Sequence, residues 1–481
     1  VFVFPGFLIS VRIIQEEPTM RRGFVATLRL STVFALLLAA VPAVAMAQEG
    51  PPPPPEGAEV VAAGLAGPMG VILDPDGNIW VITSGTGGET EVEGLGFDGL
   101  PMTALMGNTA EIIKIDAATG EQTVVATMPS FLAGEETEGG NRLALLDGKL
   151  YATGVGWHPG LIPATAEEPF PGTGGVYEVG ADGAVTEVAP LWQVERDEDP
   201  AGGEMDNHPY GVTAGSDGML YVTDAGANVL WQVDPATGET ATVAAFEPLA
   251  GVFPNPFYDN EMLRDAVPTA AVELDGAWYV SLLTGAPFLP GTAKVIKIDA
   301  DGAQSDFATG LTMLTDLRAG PDGNLYAVQF AMFGEQGPAP FSGAIVRVGE
   351  GDSSTVVVPG LLVPTSLAFN PEGDAFVTSL TGDVWKFAGL TAMEGMSMAD
   401  YSTWAAEMAA AMAPPADAAV APAEGDAAAP AEGSDAAADA PAPETMPVTG
   451  GETALPSVLV AVLAVVAVVA GMALFGRRRA A

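Results

Sequence analysis

Apolar and polar positions alternate along residues 59–390 in short runs, and the runs recur as one unit. The unit is an apolar strand, a turn, an aromatic-bearing strand, a loop, a third strand, a second turn and an outer strand. Its inner pair reads Gly70-Val71-Ile72-Leu73-Asp74-Pro75-Asp76-Gly77-Asn78-Ile79-Trp80-Val81 at the first occurrence. Five more follow: 143–153, 212–223, 270–281, 317–328 and 367–378, turning at Asp147-Gly148, Asp217-Gly218, Asp275-Gly276, Asp322-Gly323 and Glu372-Gly373. Alternation flanking Asp-Gly is a strong hairpin signal, because glycine takes positive φ without steric cost. Third strands are expected at Ile112–Ile115, Val176–Val179, Val229–Val233, Val295–Ile298, Ile345–Val348 and Val384–Phe387. Helical periodicity is not apparent in this stretch, which argues against βαβ units.

The repeat is out of phase with itself. It opens on an outer strand, Val60–Ala63, and closes at Val384–Phe387 without one. A ring explains this and a linear stack does not, since the orphan strand at one end completes the unit at the other. The expected fold is therefore all-β, a six-bladed β-propeller spanning 59–390 and closed by its N-terminal strand.

Phase also separates two faces. Turns between strands one and two, and between three and four, are short. The insertions fall on the other face, as loops at 84–109, 129–141, 155–174, 192–209, 246–267 and 330–342. Long loops on one side of a rigid scaffold mark its functional side. On that side stand both histidines, His158 and His208, and Asn207, His208, Tyr210, Asp224, Asn228 and Asp316 are expected at the mouth of the central channel. Such a set offers a general base or metal ligands.

Composition narrows the chemistry. The chain has 481 residues, no cysteine, and 17 Lys+Arg against 61 Asp+Glu, a formal net charge of -44. Disulfides and thiolate chemistry are excluded. Nucleic acid is a poor partner for so acidic a surface. The loops are themselves acidic, with Glu89, Glu91, Glu93, Glu195, Asp197, Glu198, Asp199, Glu204 and Asp206, which suits a cationic ligand or Ca²⁺. No EF-hand, Gly-x-Ser-x-Gly, His-Glu-x-x-His or P-loop pattern is present.

Both ends read as addresses. Residues 1–19 are expected to be an over-extension of the gene start, and 20–47 a signal peptide ending Ala45-Met46-Ala47. A Pro-rich spacer covers 48–58. Residues 391–445 form an Ala/Pro/acidic linker that cannot bury a core, with a short helix at its start over Ser397–Met412. Residues 446–481 hold an apolar run, Ala454–Phe475, long enough for a hydrocarbon layer of about 30 Å, before Arg477-Arg478-Arg479. With Met446, Pro447, Thr449 and Gly450 ahead of it, this tail resembles an LPxTG-type sorting signal. That resemblance implies a sortase acting at Thr449–Gly450, and Met446 stands where the class has Leu. Without a sortase the helix anchors the chain in the membrane. Either way the domain is expected outside the cell, held to wall or membrane.

Three motifs carry a further resemblance: Asp206-Asn207-His208-Pro209-Tyr210-Gly211; Val267-Pro268-Thr269 with Val363-Pro364-Thr365; and Thr284–Gly291. They resemble the ScyD/ScyE family, which implies an exported, NHL-like six-bladed propeller. Gly139-Gly140-Asn141-Arg142 departs from the Gly-Pro-His-Asp type of strand start in that family. Two functions are then weighed. One is a non-catalytic binding or scaffold module using the acidic loop face. The other is a calcium-dependent hydrolase like the six-bladed lactonases, which needs a convergent Glu/Asn/Asp set. The inner strands here begin mostly with Pro-Thr or Pro-Met, such as Pro68-Met69, and so favour binding.

Overall fold

The computed structural model describes residues 53–95, 101–134, 136–158, 169–334 and 337–412. The signal-peptide, linker and sorting-signal expectations, with Met446, Pro447, Thr449 and Gly450, lie outside those residues. Among the described residues no helix is long and apolar enough to cross a membrane.

The architecture is all-β and propeller-like. Among the described residues, six antiparallel sheets of at least four strands follow one another along the chain. Their innermost strands are Pro68–Leu73, Leu143–Leu146, Pro209–Ala214, Pro268–Leu274, Leu314–Ala319 and Pro364–Phe369. Each innermost strand adjoins the next, and Pro364–Phe369 adjoins Pro68–Leu73, so the inner strands close a ring. The chain completes that ring as its phase requires. Strand Ala58–Ala62 pairs antiparallel with Val384–Phe387 in the register Ala58↔Phe387, Glu59↔Lys386, Val60↔Trp385 and Ala62↔Val384.

Period-two alternation builds the core. In Leu220–Asp224 and Val229–Val233, both inside their sheet, nearly every side chain is buried. Outer strands such as Val185–Ala189 bury only one end. The hydrophobic clusters lie between adjacent sheets: Val212, Val222 and Trp231 of the third sheet pack on Tyr151 and Val176 of the second. The Asp-Gly turns all place glycine at positive φ, and two of them are two-residue hairpins. At Asp147-Gly148 and Asp275-Gly276 both residues have positive φ, joining Leu146 to Lys149 and Leu274 to Ala277 in two-residue hairpins.

The insertions are more ordered than loops. The stretch 84–109 holds strand Thr90–Leu95, which pairs with the extended strand Pro101–Ile115. Its alternation of exposed Glu91, buried Val92 and exposed Glu93 is a strand signal hidden by charge. Stretch 129–141 continues strand Gln122–Ala133 and adds Glu136–Glu138. Stretch 246–267 is a hairpin of Leu249–Asn255 and Glu261–Arg264. Stretch 330–342 pairs Phe333–Gly334 with Gly337–Pro338. Helix Leu191–Glu198 opens the stretch 192–209, contrary to the expectation of no helix, because Leu191, Trp192 and Glu195 make one buried stripe at helical spacing. The expected helix after the last sheet runs Met398–Met412, with Tyr401 and Ala405 buried against the fifth sheet.

Candidate functional site

The site begins with a backbone irregularity repeated around the ring. At the start of five innermost strands the register slips by one residue, between Pro68/Gly70, Pro209/Gly211, Pro268/Ala270, Leu314/Asp316 and Pro364/Ser366. Each slip is a β-bulge that releases the skipped residue from its ladder. Those residues are Met69, Tyr210, Thr269, Thr315 and Thr365. In the second sheet Thr153 donates its N–H to the carbonyl of Arg142 and accepts at its own carbonyl from Asn141, so Arg142 holds the sixth equivalent position.

Arg142 fills the axis. Its side chain is 1% exposed, yet it carries a guanidinium. Nη2 donates to the carbonyls of Thr315 at 2.6 Å and Thr365 at 2.8 Å and lies 3.1 Å from the Tyr210 hydroxyl. Nη1 donates to the carbonyls of Met69 and Asn141. The guanidinium carbon stands 4.5 Å from the centre of the Tyr210 ring, a cation–π contact. Nε faces Asp316 Oδ2 at 4.0 Å. The Asp316 carboxylate is fully buried and accepts from Leu317 N at 2.9 Å, Leu367 N at 3.2 Å, Arg318 Nε at 3.3 Å and the Ser366 hydroxyl. One buried cation thereby touches five of the six sheets. The remaining sheet joins through Thr269, whose hydroxyl donates to the Leu314 carbonyl at 2.8 Å.

Asn207, His208 and Asp224 come together at the start of the third sheet. Asp224 Oδ2 accepts from Asn207 Nδ2 at 2.6 Å and Trp231 Nε1 at 3.2 Å. Its Oδ1 accepts from His208 N at 2.6 Å and Ala227 N at 3.1 Å. Burial pushes the Asp224 carboxyl above its ordinary range, and these donors oppose the shift. The amide of Asn141 lies 3.0 Å from His208 Nε2, which links this cluster to Arg142 next along the chain. Asn228 sits apart, accepting from Val267 N at 2.9 Å and donating to Asp265 Oδ1 at 3.3 Å. Asp316 belongs to the Arg142 group rather than to the Asp224 group.

A second polar region lies outside the axis, beneath helix Leu191–Glu198. Burial, reinforced by Asp224, Asp199 and Asp206, pushes Glu195 up to about 9. Glu204 is pushed up to about 9 by burial and Asp265, with its Oε1 2.9 Å from His158 Nε2. Asp206 rises to about 8 through burial, opposed by His158. Glu195 Oε2, Glu204 Oε2 and Asn207 Oδ1 are buried there without a hydrogen-bond partner.

Sequence reasoning missed Arg142 as a functional residue. The one signal was that Gly139-Gly140-Asn141-Arg142 departs from the Gly-Pro-His-Asp strand start that the ScyD/ScyE resemblance led one to expect.

A calcium ion at the axis was one reading of the sequence, and the residues present do not fit it. The carbonyls of Met69, Thr315 and Thr365 already receive guanidinium N–H groups, and a second cation there would face Arg142. Among the described residues no group of three or more His, Cys, Asp or Glu is arranged to hold a metal.

A family model described as SMP-30/Gluconolactonase/LRE-like region matches residues 209–397, the third to sixth sheets. No curated protein matches the chain. Among solved structures the chain is similar to virginiamycin B lyase from Staphylococcus aureus, at 12% identity and TM-score 0.36, covering 68% of this chain and 98% of that one. It is similar to regucalcin from Agrobacterium tumefaciens, a calcium-binding protein, at 14% identity and TM-score 0.37, covering 71% and 95%. It is also similar to the aldose sugar dehydrogenase of Streptomyces coelicolor in its PQQ-bound form, at 13% identity and TM-score 0.40, covering 70% and 99%.

Proposed function

We propose that this chain is a six-bladed β-propeller that works as a non-catalytic binding module, held outside the cell by its C-terminal segment and taking a cationic partner on its acidic loop face. The observation that carries this reading is the spent axis. At the axis the carbonyls of Thr315 and Thr365 are engaged by Arg142, and Asp224 and Asp316, the carboxylates a lactonase-type metal would need there, are saturated by neighbouring donors. The free chemistry is on the insertions. Exposed Glu91 and Glu93 project from strand Thr90–Leu95 with Glu89 just before it, and Glu198 from the helix Leu191–Glu198, where Asp197 pairs with Arg196. Clustered carboxylates of one sign attract a basic partner over a Debye length of about 8 Å at physiological salt.

The test uses the purified full chain with an octalysine probe and an octaglutamate control. Octalysine is expected to bind, more weakly as salt rises, and more weakly again in the Glu89→Gln/Glu91→Gln/Glu93→Gln variant. Equal binding of both peptides would end the reading. The matched SMP-30/Gluconolactonase/LRE-like region supports the second reading of the sequence as far as hydrolysis of a lactone, there taken to be calcium-dependent. Turnover of gluconolactone that requires added calcium chloride would favour it over binding.

A further inference from the structure

We propose that the axis of the ring is a cation site whose cation is the protein's own Arg142 guanidinium. The argument starts from the oxygens. The β-bulges turn the carbonyls of Met69, Thr315 and Thr365 out of their ladders and toward the axis, where Asn141 adds its own carbonyl and Tyr210 its hydroxyl. Behind them stands the buried Asp316 carboxylate. An array of carbonyl oxygens backed by a carboxylate is a hard-oxygen cage, the donor set that divalent cations choose. Left without donors, each buried carbonyl would cost free energy.

A guanidinium answers this set better than an apolar side chain or an ammonium. It is planar, stays charged, and carries N–H groups spread over a fork wide enough to reach strands on several sides. Its Nη atoms serve acceptors from the first, second, third, fifth and sixth sheets. The Tyr210 ring covers its flat face at 4.5 Å. Arg142 therefore does two things at once. It neutralises the cage and binds to one group strands whose contacting residues lie 68 to 223 residues from Arg142 in sequence. The consequence is a ring that needs no dissolved metal to hold its centre. The assignment deepens the proposed function, which rests on the same occupied axis; octalysine binding reads the acidic loops and the melts read the axis, so failure of one is distinguishable from failure of the other.

The experiment is thermal melting of the full chain, followed by circular dichroism, as wild type, Arg142→Ala and Arg142→Lys. Wild type is expected to melt at the same temperature in EDTA and in calcium chloride. Arg142→Ala is expected to melt about 10 °C lower, because five buried acceptors lose their donor and Asp316 loses a neighbouring charge. Low-millimolar guanidinium chloride is expected to recover part of that loss, and sodium chloride at equal ionic strength none, since only the former refills the cage. Arg142→Lys is expected between the two, a point charge that cannot reach both sides. A melt lowered by EDTA and restored by calcium, in wild type and equally in the Glu89→Gln/Glu91→Gln/Glu93→Gln variant, would overturn the proposal. So would an Arg142→Ala variant indifferent to guanidinium. Should Arg142→Ala not fold, Arg142→Lys melting at or above wild type would overturn it, and the wild-type EDTA comparison reads the same question directly.

Discussion

Asn207 donates its side-chain amide to the Asp224 carboxylate at 2.6 Å, and neither residue reaches solvent. The pair pins the segment that enters the third sheet to the end of that sheet's second strand. Asp224 also receives His208 N, Ala227 N and Trp231 Nε1, so one carboxylate organises the whole entrance.

Removing that carboxylate should be costly. Asp224→Ala strands four buried donors, and a loss of about 3–5 kcal/mol is expected. Asp224→Asn keeps the size and one acceptor oxygen, and should cost about half as much. Urea denaturation of both variants measures the difference. Equal stability to wild type in Asp224→Ala would show that these bonds are not integral to the fold.

The carboxyls under helix Leu191–Glu198 predict a pH dependence with a definite sign. Glu195 and Glu204 are raised to about 9 and Asp206 to about 8, all above their unfolded values. The folded state thus holds protons that the unfolded chain has released by neutral pH. Their stabilising effect is complete below the unfolded values, near pH 4, falls progressively as pH climbs above them, and is fully lost once pH has passed 8 to 9. Glu195→Gln, neutral at every pH, should match wild type near pH 4 and exceed it at pH 9 by on the order of 2 kcal/mol. Denaturation midpoints across that range decide it.

The C-terminal helix should be a working part of the domain. Tyr401 is fully buried, donates to the Ser342 carbonyl and lies 3.2 Å from Gln329 Nε2. Tyr401→Ala is expected to cost about 3–5 kcal/mol and Tyr401→Phe about 1–2 kcal/mol. Limited proteolysis should then cut near residue 398 in the alanine variant before it cuts any sheet.

Ring closure makes its own prediction. Deleting residues 56–62 would leave Val384–Phe387 as an open edge, a template for pairing with another chain. Light scattering should show dimers or larger species where wild type gives one. A monomeric deletion variant of unchanged stability would mean that the closing strand is dispensable.

Much of this was legible in the amino-acid order. Alternation and Asp-Gly turns are local signals, so the six inner hairpins and the partner of Val384–Phe387 could be read directly. The insertions were harder. Glu91 and Glu93 made a strand look like a solvated loop, because an edge strand with a wet face can carry charge on every second residue. The helix Leu191–Glu198 was missed because its buried stripe is only one turn long and includes Glu195.

The Asn207, His208 and Asp224 group could be anticipated, since its members lie within 17 residues of one another. Arg142 could not. Four of its acceptors are backbone carbonyls, which every residue possesses, so Met69, Thr315 and Thr365 bear no side-chain mark of the role. The chain by itself determined its strands, its turns and the phase that closes the ring, because those follow from side-chain polarity and the freedom of glycine near one another in sequence. Only closure in three dimensions decided what stands at the centre, because bulges on separate sheets must meet before their carbonyls form a cage and one arginine can fill it.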